Sequence, residues 1–387
     1  MKNKKIVGCI LGILILSMTV VFLYPKNEKK YLNYEGAMLA ITIDGESASR
    51  IPSINEKYTA EIECSNNVFA KYLPVKQTNG EYKMAITFEN LTQAGTTCHV
   101  NFISIKAENR DDYLLIKEVQ RLNPTDNDGY RYSGKQPDNW VWFNDELWRI
   151  IGSVPVCTNA TIASGATSGT CNKRTNLVKI IRNESIGGLA YHSSETKTVW
   201  GSGNTLYTLL NEKYHGKGNA AGASPCYGYS TYLGTCDYRI NGISKSENDY
   251  YNKMIESVHM NVGTVSNTAT YIDAAYDLET NLVTKQTAIG LMNISDYGYA
   301  ASGITYSSTY LSNLASSVAN NWLYGNGYEW TMTPYSAASV MLVRINGYAT
   351  YGYAYYGYAT RPILYLDSGV YIRGGTGTIT NPYILGL

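Results

Sequence analysis

The sequence predicts a membrane helix, a small all-β domain and a larger α+β domain. Three observations predict it. Ile6 to Tyr24 is 19 residues without a charge, preceded by Lys2, Lys4 and Lys5. Residues 37–106 alternate apolar and polar side chains between Gly and Asn turns, the period of half-buried strands. From residue 130 onward, aromatic and β-branched runs alternate with short stretches of helical spacing.

The apolar run is long enough to span a bilayer, which takes roughly 20 residues as a helix. It leaves through Val-Val-Phe-Leu-Tyr-Pro with no small-residue cleavage site. An uncleaved signal anchor at 6–24 is therefore expected, after a cytoplasmic tail of residues 1–5 and before a linker of residues 25–36. Ile6-Val7-Gly8-Cys9 imitates a lipoprotein box but precedes the apolar run instead of following it.

Apart from Cys9, the cysteines fall in three successive pairs: Cys64 and Cys98, Cys157 and Cys171, Cys226 and Cys236. Six cysteines admit many pairings. Nearest-neighbour pairing is the simplest, because two pairs close short polar loops and the third brackets the small domain. Disulfides imply an oxidising location outside the cytoplasm. Zinc is the rival reading, but there is no C-x-x-C and no histidine cluster beside the cysteines. No metal or cofactor is expected.

In the small domain, MLAITIDG, YTAEIEC, EYKMAITFENL and TTCHVNFISI read as antiparallel strands. Residues 107–129 read as a connector. Its end, NPTDNDG, resembles the start of a calcium loop but lacks the ligand spacing and the closing Glu. The large domain, 130–387, opens with a hairpin around Asn144-Asp145. LVKIIR at 177–182 is a strand, and TLYTLLNEKY at 205–214 is a short helix. Glu247 to His259 reads as a second helix and Ile289 to Met292 as a buried strand. Ser307 to Leu323 reads as a third helix, with Leu311, Leu314, Val318 and Trp322 on one stripe. Asn346-Gly347 predicts a two-residue hairpin.

Composition narrows the function. The formal net charge is +1, and only ten charged residues lie between Asn261 and the C-terminus, so nucleic acid is not an expected partner. Tyrosine is the outlier, 36 against 5 phenylalanines. Tyr is favoured over Phe where a ring is half buried and its hydroxyl needs water or a partner. With Ser, Gly and Asn it also composes adaptable binding surfaces. The densest stretch is Gly347 to Thr360, which holds Tyr348, Tyr351, Tyr353, Tyr355, Tyr356 and Tyr358 and no charge. These six are the candidate ligand-binding residues. On one strand Tyr351, Tyr353 and Tyr355 share a face while Tyr356 and Tyr358 take the other, so a turn or bulge near Tyr355-Tyr356 is needed to align them all.

YRYSGKQPDNWVWFNDELWRIIG at 130–152 resembles a large family of Gram-positive gut-bacterial surface proteins of unknown function. Further matches are KIIRNESIG at 179–187, IGLMNISDYGYA at 289–300, WTMTPYS at 330–336, RPILYL at 361–366 and GGTGTITNPYIL at 374–385. The resemblance implies a membrane anchor, an Ig-like β sandwich and a C-type lectin-like large domain, a fold shared with formylglycine-generating enzymes. That enzyme class needs reactive cysteines late in the domain, and none follows Cys236.

No G-x-S-x-G, H-E-x-x-H or P-loop occurs. His192 beside Ser193, and the carboxylates Asp296 and Glu329, are isolated fragments of possible chemistry, so no catalytic residue is assigned. The expectation is a non-enzymatic extracellular binding or adhesion protein, tethered to the cell membrane and facing a glycan or protein. A structural envelope protein without a specific ligand is the alternative, and an undetected surface enzyme the third reading.

Overall fold

The computed structural model describes residues 31–387 except 35–36, 54–55, 80–81, 90–94, 107, 126–127, 195–196, 216–221, 229–230, 240–241 and 244–256. The protein is mostly β, with 42% strand and 15% helical residues. It divides into two compact units. One holds the chain up to Leu114 together with Trp140–Trp142 and Tyr371–Leu387; the other holds Leu115–Asn139 and Phe143–Val370.

In the first unit the strand Thr96–Ser104 is central. Ala37–Ile43 pairs with it in parallel, Leu39 opposite Cys98. Tyr58–Cys64 pairs with it antiparallel, which sets Cys64 opposite Cys98, and these two form a disulfide. The hairpin of Phe69–Lys76 and Tyr82–Glu89 packs against this sheet. Leu39, Ile41, Val100 and Phe102 from the sheet meet Tyr72 and Ile86 from the hairpin in one buried cluster. Tyr72 meets Phe102 edge-on, with ring centroids 4.8 Å apart, and donates its hydroxyl to the Pro52 carbonyl at 2.8 Å. The C-terminal strands Tyr371–Gly374 and Tyr383–Gly386 belong to this unit, pairing in parallel at Gly374–Ala60 and Tyr383–Val141.

In the second unit, Asn144 and Asp145 both take positive φ, as a type I′ turn requires. Beyond it Glu146–Thr161 and Ser168–Arg182 form a long hairpin whose polar outer arms are tied by Cys157–Cys171. Ile363–Tyr365 extends that sheet, Leu364 opposite Ile180. A second sheet runs in the order Gly188–Ala190, Gly357–Ala359, Glu329–Pro334, Ser339–Val343, Ala349–Tyr353. The helices are short. They are Leu115–Leu122, Thr205–Thr208 running into a π-helical turn over Leu209–Tyr214, Ile272–Thr280, Ile294–Tyr299 and the 3₁₀ segment Leu311–Asn320. Asn204 caps the first turn of the Thr205 helix, accepting from the Tyr207 N–H at 2.9 Å.

Several expectations are corrected. The transmembrane helix expected at 6–24 lies outside the described residues. Among the described residues no helix is long and apolar enough to cross a membrane, so the structure lends that helix no support. The small domain is not an Ig-like sandwich built from antiparallel neighbours. Its central strand has a parallel partner, and its sheet takes strands from the chain's far end. Nor is the large unit an α+β, C-type lectin-like domain. The runs rich in Thr, Val, Ile and Tyr form ladders, and none of its described helices exceeds the ten residues of Leu311–Asn320.

Local expectations differ too. Most of the helix expected at 247–259 lies outside the described residues. Ile289–Met292 is a buried stretch outside any strand: Gly290 makes an isolated bridge to Ile363, and at Ile289 the Asn211 side chain takes the backbone hydrogen bonds a neighbouring strand would. Its Oδ1 accepts from the Ile289 N–H at 3.0 Å, and its Nδ2 donates to the Ile289 carbonyl at 2.9 Å. The Asn346-Gly347 hairpin has three loop residues instead of two. Arg344 pairs with Tyr348, donating its N–H to the Tyr348 carbonyl at 2.8 Å, and Gly347 takes φ +81°, as in a type I turn closed by a left-handed residue.

Candidate functional site

A turn near Tyr355-Tyr356 splits the tyrosine tract, and it separates the rings instead of aligning all six. Ala349–Tyr353 is the last strand of the second sheet. The chain then reverses, with the Tyr356 N–H bonded to the Tyr353 carbonyl at 3.0 Å, and Gly357–Ala359 returns three strands away, beside Glu329–Pro334. Ala354 at the corner is buried. Its N–H bonds to the Ala338 carbonyl at 3.1 Å, and its carbonyl accepts from the His192 N–H at 2.8 Å.

The two halves behave differently. Tyr348, Tyr351 and Tyr353 are 42%, 48% and 45% exposed. Tyr351 stacks on Tyr335, with centroids 3.9 Å apart and planes within 8°. Tyr353 stacks on Tyr355 at 5.7 Å and 9°. In a stacked pair each ring covers a face of its neighbour, which leaves edges and hydroxyls to face water. Tyr355, Tyr356 and Tyr358 are half-buried. Through them the ring contacts run inward, from Tyr356 to Tyr358 at 5.8 Å and from Tyr358 to Trp330 at 4.7 Å. Trp330 meets Tyr191, which meets Trp200, at 5.6 and 5.5 Å. Gly352 permits this approach, because a Cβ there would stand 3.0 Å from the Tyr358 ring and 2.8 Å from Leu342.

The disulfides Cys64–Cys98, Cys157–Cys171 and Cys226–Cys236 form as the sequence pairs them. They fit an extracellular location. Among the described residues no group of three or more His, Cys, Asp or Glu stands together to hold a metal ion.

The isolated chemical fragments each have partners of their own. His192 Nδ1 lies 3.1 Å from the Thr205 N–H and 2.8 Å from its hydroxyl, at the start of the helix. Burial, with Lys197 nearby, lowers its pKa. Asp296 is buried between Arg131 Nη1 at 2.6 Å and Lys179 Nζ at 2.5 Å. Burial opposes its charge, but the two cations hold its pKa below the ordinary range. It also accepts from the Asn293 N–H at 2.8 Å in a capping box that starts the Ile294 helix. Arg131 lies over the Tyr299 ring at 4.8 Å. Glu329 is held two-pronged by Arg361 at 2.6 and 2.9 Å; burial raises its pKa and Arg361 opposes the rise.

A group the sequence reading missed is Glu279, fully buried at the end of its helix. Its carboxyl accepts from the Thr333 hydroxyl at 2.5 Å and from the Ser295 hydroxyl and N–H. Burial pushes its pKa up to about 7, and the hydroxyl bonds pull the other way. Asp277 and Glu279 in one short helix look alike in the sequence, and only the fold buries the second. Lys179 did carry a signal. It is the one charge inside Leu177 to Ile181, a strand buried on both faces.

Compared with known proteins, the chain matches no family model, no curated protein and no solved structure.

Proposed function

We propose that the protein is an extracellular binding protein whose contact surface is the exposed tyrosine row of the edge strand. One observation carries this reading. Of the twelve large apolar or aromatic side chains exposed among the described residues, four, Ile345, Tyr348, Tyr351 and Tyr353, fall within nine positions of one turn and strand. Such clustering of exposed apolar side chains marks interaction sites, whereas singly scattered ones do not. No charge lies between Ile345 and Thr360, so the surface suits an uncharged glycan or a neutral protein face. The stacked pairs offer hydroxyls for hydrogen bonds and ring edges for apolar contact. Tyr355, Tyr356 and Tyr358 have the different role of joining this strand to the aromatic core.

The test is a glycan array and a surface pull-down with the full chain and with a variant carrying Tyr348→Ala, Tyr351→Ala and Tyr353→Ala. Truncating central aromatic contacts costs about 2 kcal/mol or more each, so the triple variant should lose at least about tenfold in affinity. Binding that survives in the folded variant removes this strand from the site.

A further inference from the structure

Away from the tract, Tyr271 and Tyr310 form a pair that differs from the other stacked rings. Each is the residue just before a helix: Tyr271 precedes Ile272–Thr280 and Tyr310 precedes Leu311–Asn320. They face each other in an isolated antiparallel bridge. The bridging hydrogen bonds are made by their neighbours, Ile272 N–H to the Thr309 carbonyl at 3.3 Å and Leu311 N–H to the Thr270 carbonyl at 3.0 Å. A pair whose residues make no backbone bond to each other is the closer-spaced kind in an antiparallel ladder. The rings accordingly stack with centroids 4.5 Å apart and planes within 14°. Their hydroxyl oxygens are 3.0 Å apart in a hydrogen bond. Tyr271 is 37% exposed and Tyr310 half-buried, so solvent reaches the pair.

We infer that Tyr271 and Tyr310 are an oxidative modification site, joined as dityrosine by a surface-acting one-electron oxidant such as a haem peroxidase with hydrogen peroxide. The unpaired electron of a tyrosyl radical resides largely on the oxygen and on the ring carbons beside the hydroxyl-bearing carbon. Parallel rings with touching hydroxyls set one such Cε of each residue beside the other. Each phenol gives up one electron to the oxidant and one proton to water. The two Cε atoms then form a carbon–carbon bond, and the hydrogen on each moves back to its oxygen as the rings regain aromaticity. The net loss is two hydrogens, and one hydrogen peroxide accepts the two electrons and two protons to become two waters. The bond would close the chain from 271 to 310 around the buried capping box at Asn293–Asp296. This site does not depend on the proposed contact surface.

The experiment treats the full chain with horseradish peroxidase and limiting hydrogen peroxide. The expected product is a monomer lighter by two hydrogens, with dityrosine fluorescence and a linked peptide pair containing Tyr271 and Tyr310. Tyr271→Phe and Tyr310→Phe each keep a stacked ring but should lose that linked pair, and circular dichroism checks that both remain folded. Three results would overturn the inference: no link at this pair, earlier linking of Tyr335 to Tyr351 or between molecules, or a linked product of unchanged yield in either Phe variant.

Discussion

Replacing Glu279 by Gln should remove a pH dependence that the buried carboxyl imposes on folding. The pKa of Glu279 rises from 4.5 to about 7, first through burial and then through Asp296, against the hydroxyls of Ser295 and Thr333. The folded protein therefore favours the protonated form, while the unfolded chain ionises near the ordinary value. The stabilisation linked to that proton is fully present below the unfolded pKa and disappears as pH rises through the folded one. The difference is about 2.5 pK units, and at 1.36 kcal/mol per unit it amounts to about 3 kcal/mol. Gln is uncharged at every pH and close in shape, so it keeps an oxygen to accept from Thr333. Urea unfolding of protein and variant, compared between about pH 5 and about pH 8, reads the effect. The native chain should lose about 2.5 kcal/mol over that range through this group, and Glu279→Gln should not. The lowered pKa of His192 works the other way, its contribution growing as pH rises, so the comparison with the variant isolates the carboxyl. A variant with the same pH slope as the native chain would refute the reasoning.

Two further substitutions probe the second unit. Asp296→Asn leaves Arg131 and Lys179 buried against each other without their shared anion. Breaking such a buried pair costs about 3–5 kcal/mol, and a thermal melt showing less than about 1 kcal/mol lost would contradict that account. Gly347→Ala places a Cβ at φ +81°, 3.0 Å from Val318 and 3.2 Å from the Tyr297 hydroxyl. The strain should cost about 1–3 kcal/mol, read by chemical denaturation, and an unchanged midpoint would show that the turn does not need glycine.

What could be read in the sequence was what local chemistry dictates. Asn144-Asp145 announced its turn because both positions tolerate positive φ, and the parity break at Tyr355-Tyr356 marked where one strand could not present all the rings; the chain does turn there, between Tyr353 and Tyr356. Where distant partners decide, local pattern misled. The hairpin tip beyond Cys157 looks like a polar loop, because residues 158–161 and 168–176 are not buried and no apolar alternation marks them. Ile289 looks like a strand residue because it is apolar and buried, yet its backbone bonds go to a side chain 78 positions away. The site was legible to the same extent. The sequence named the six tyrosines of the tract, and only tertiary contacts sort the exposed three from the half-buried three, of which Tyr358 meets Trp330.

The excess of tyrosine over phenylalanine has a physical role in how the exposed row is held. The turn that launches the edge strand is fastened by phenol hydroxyls. Tyr297 donates to the Gly347 carbonyl at 3.0 Å, and Tyr324 donates to the Ile345 carbonyl. At the strand's far end, buried Ala354 is pinned by the Ala338 carbonyl and the His192 N–H. Tyr351 and Tyr353 thus stand on a short span fixed at both ends, and each is further restrained by a parallel ring, Tyr335 or Tyr355. Rings whose rotamers are already restricted lose less freedom when a ligand arrives, and that saving goes directly into affinity. Phenylalanine at 297 or 324 would preserve the apolar contacts and release the carbonyls of the turn. On the binding reading proposed above, Tyr297→Phe or Tyr324→Phe should weaken capture by the exposed row on the glycan array, and unchanged capture by a folded variant would show that these phenol bonds do not hold the row.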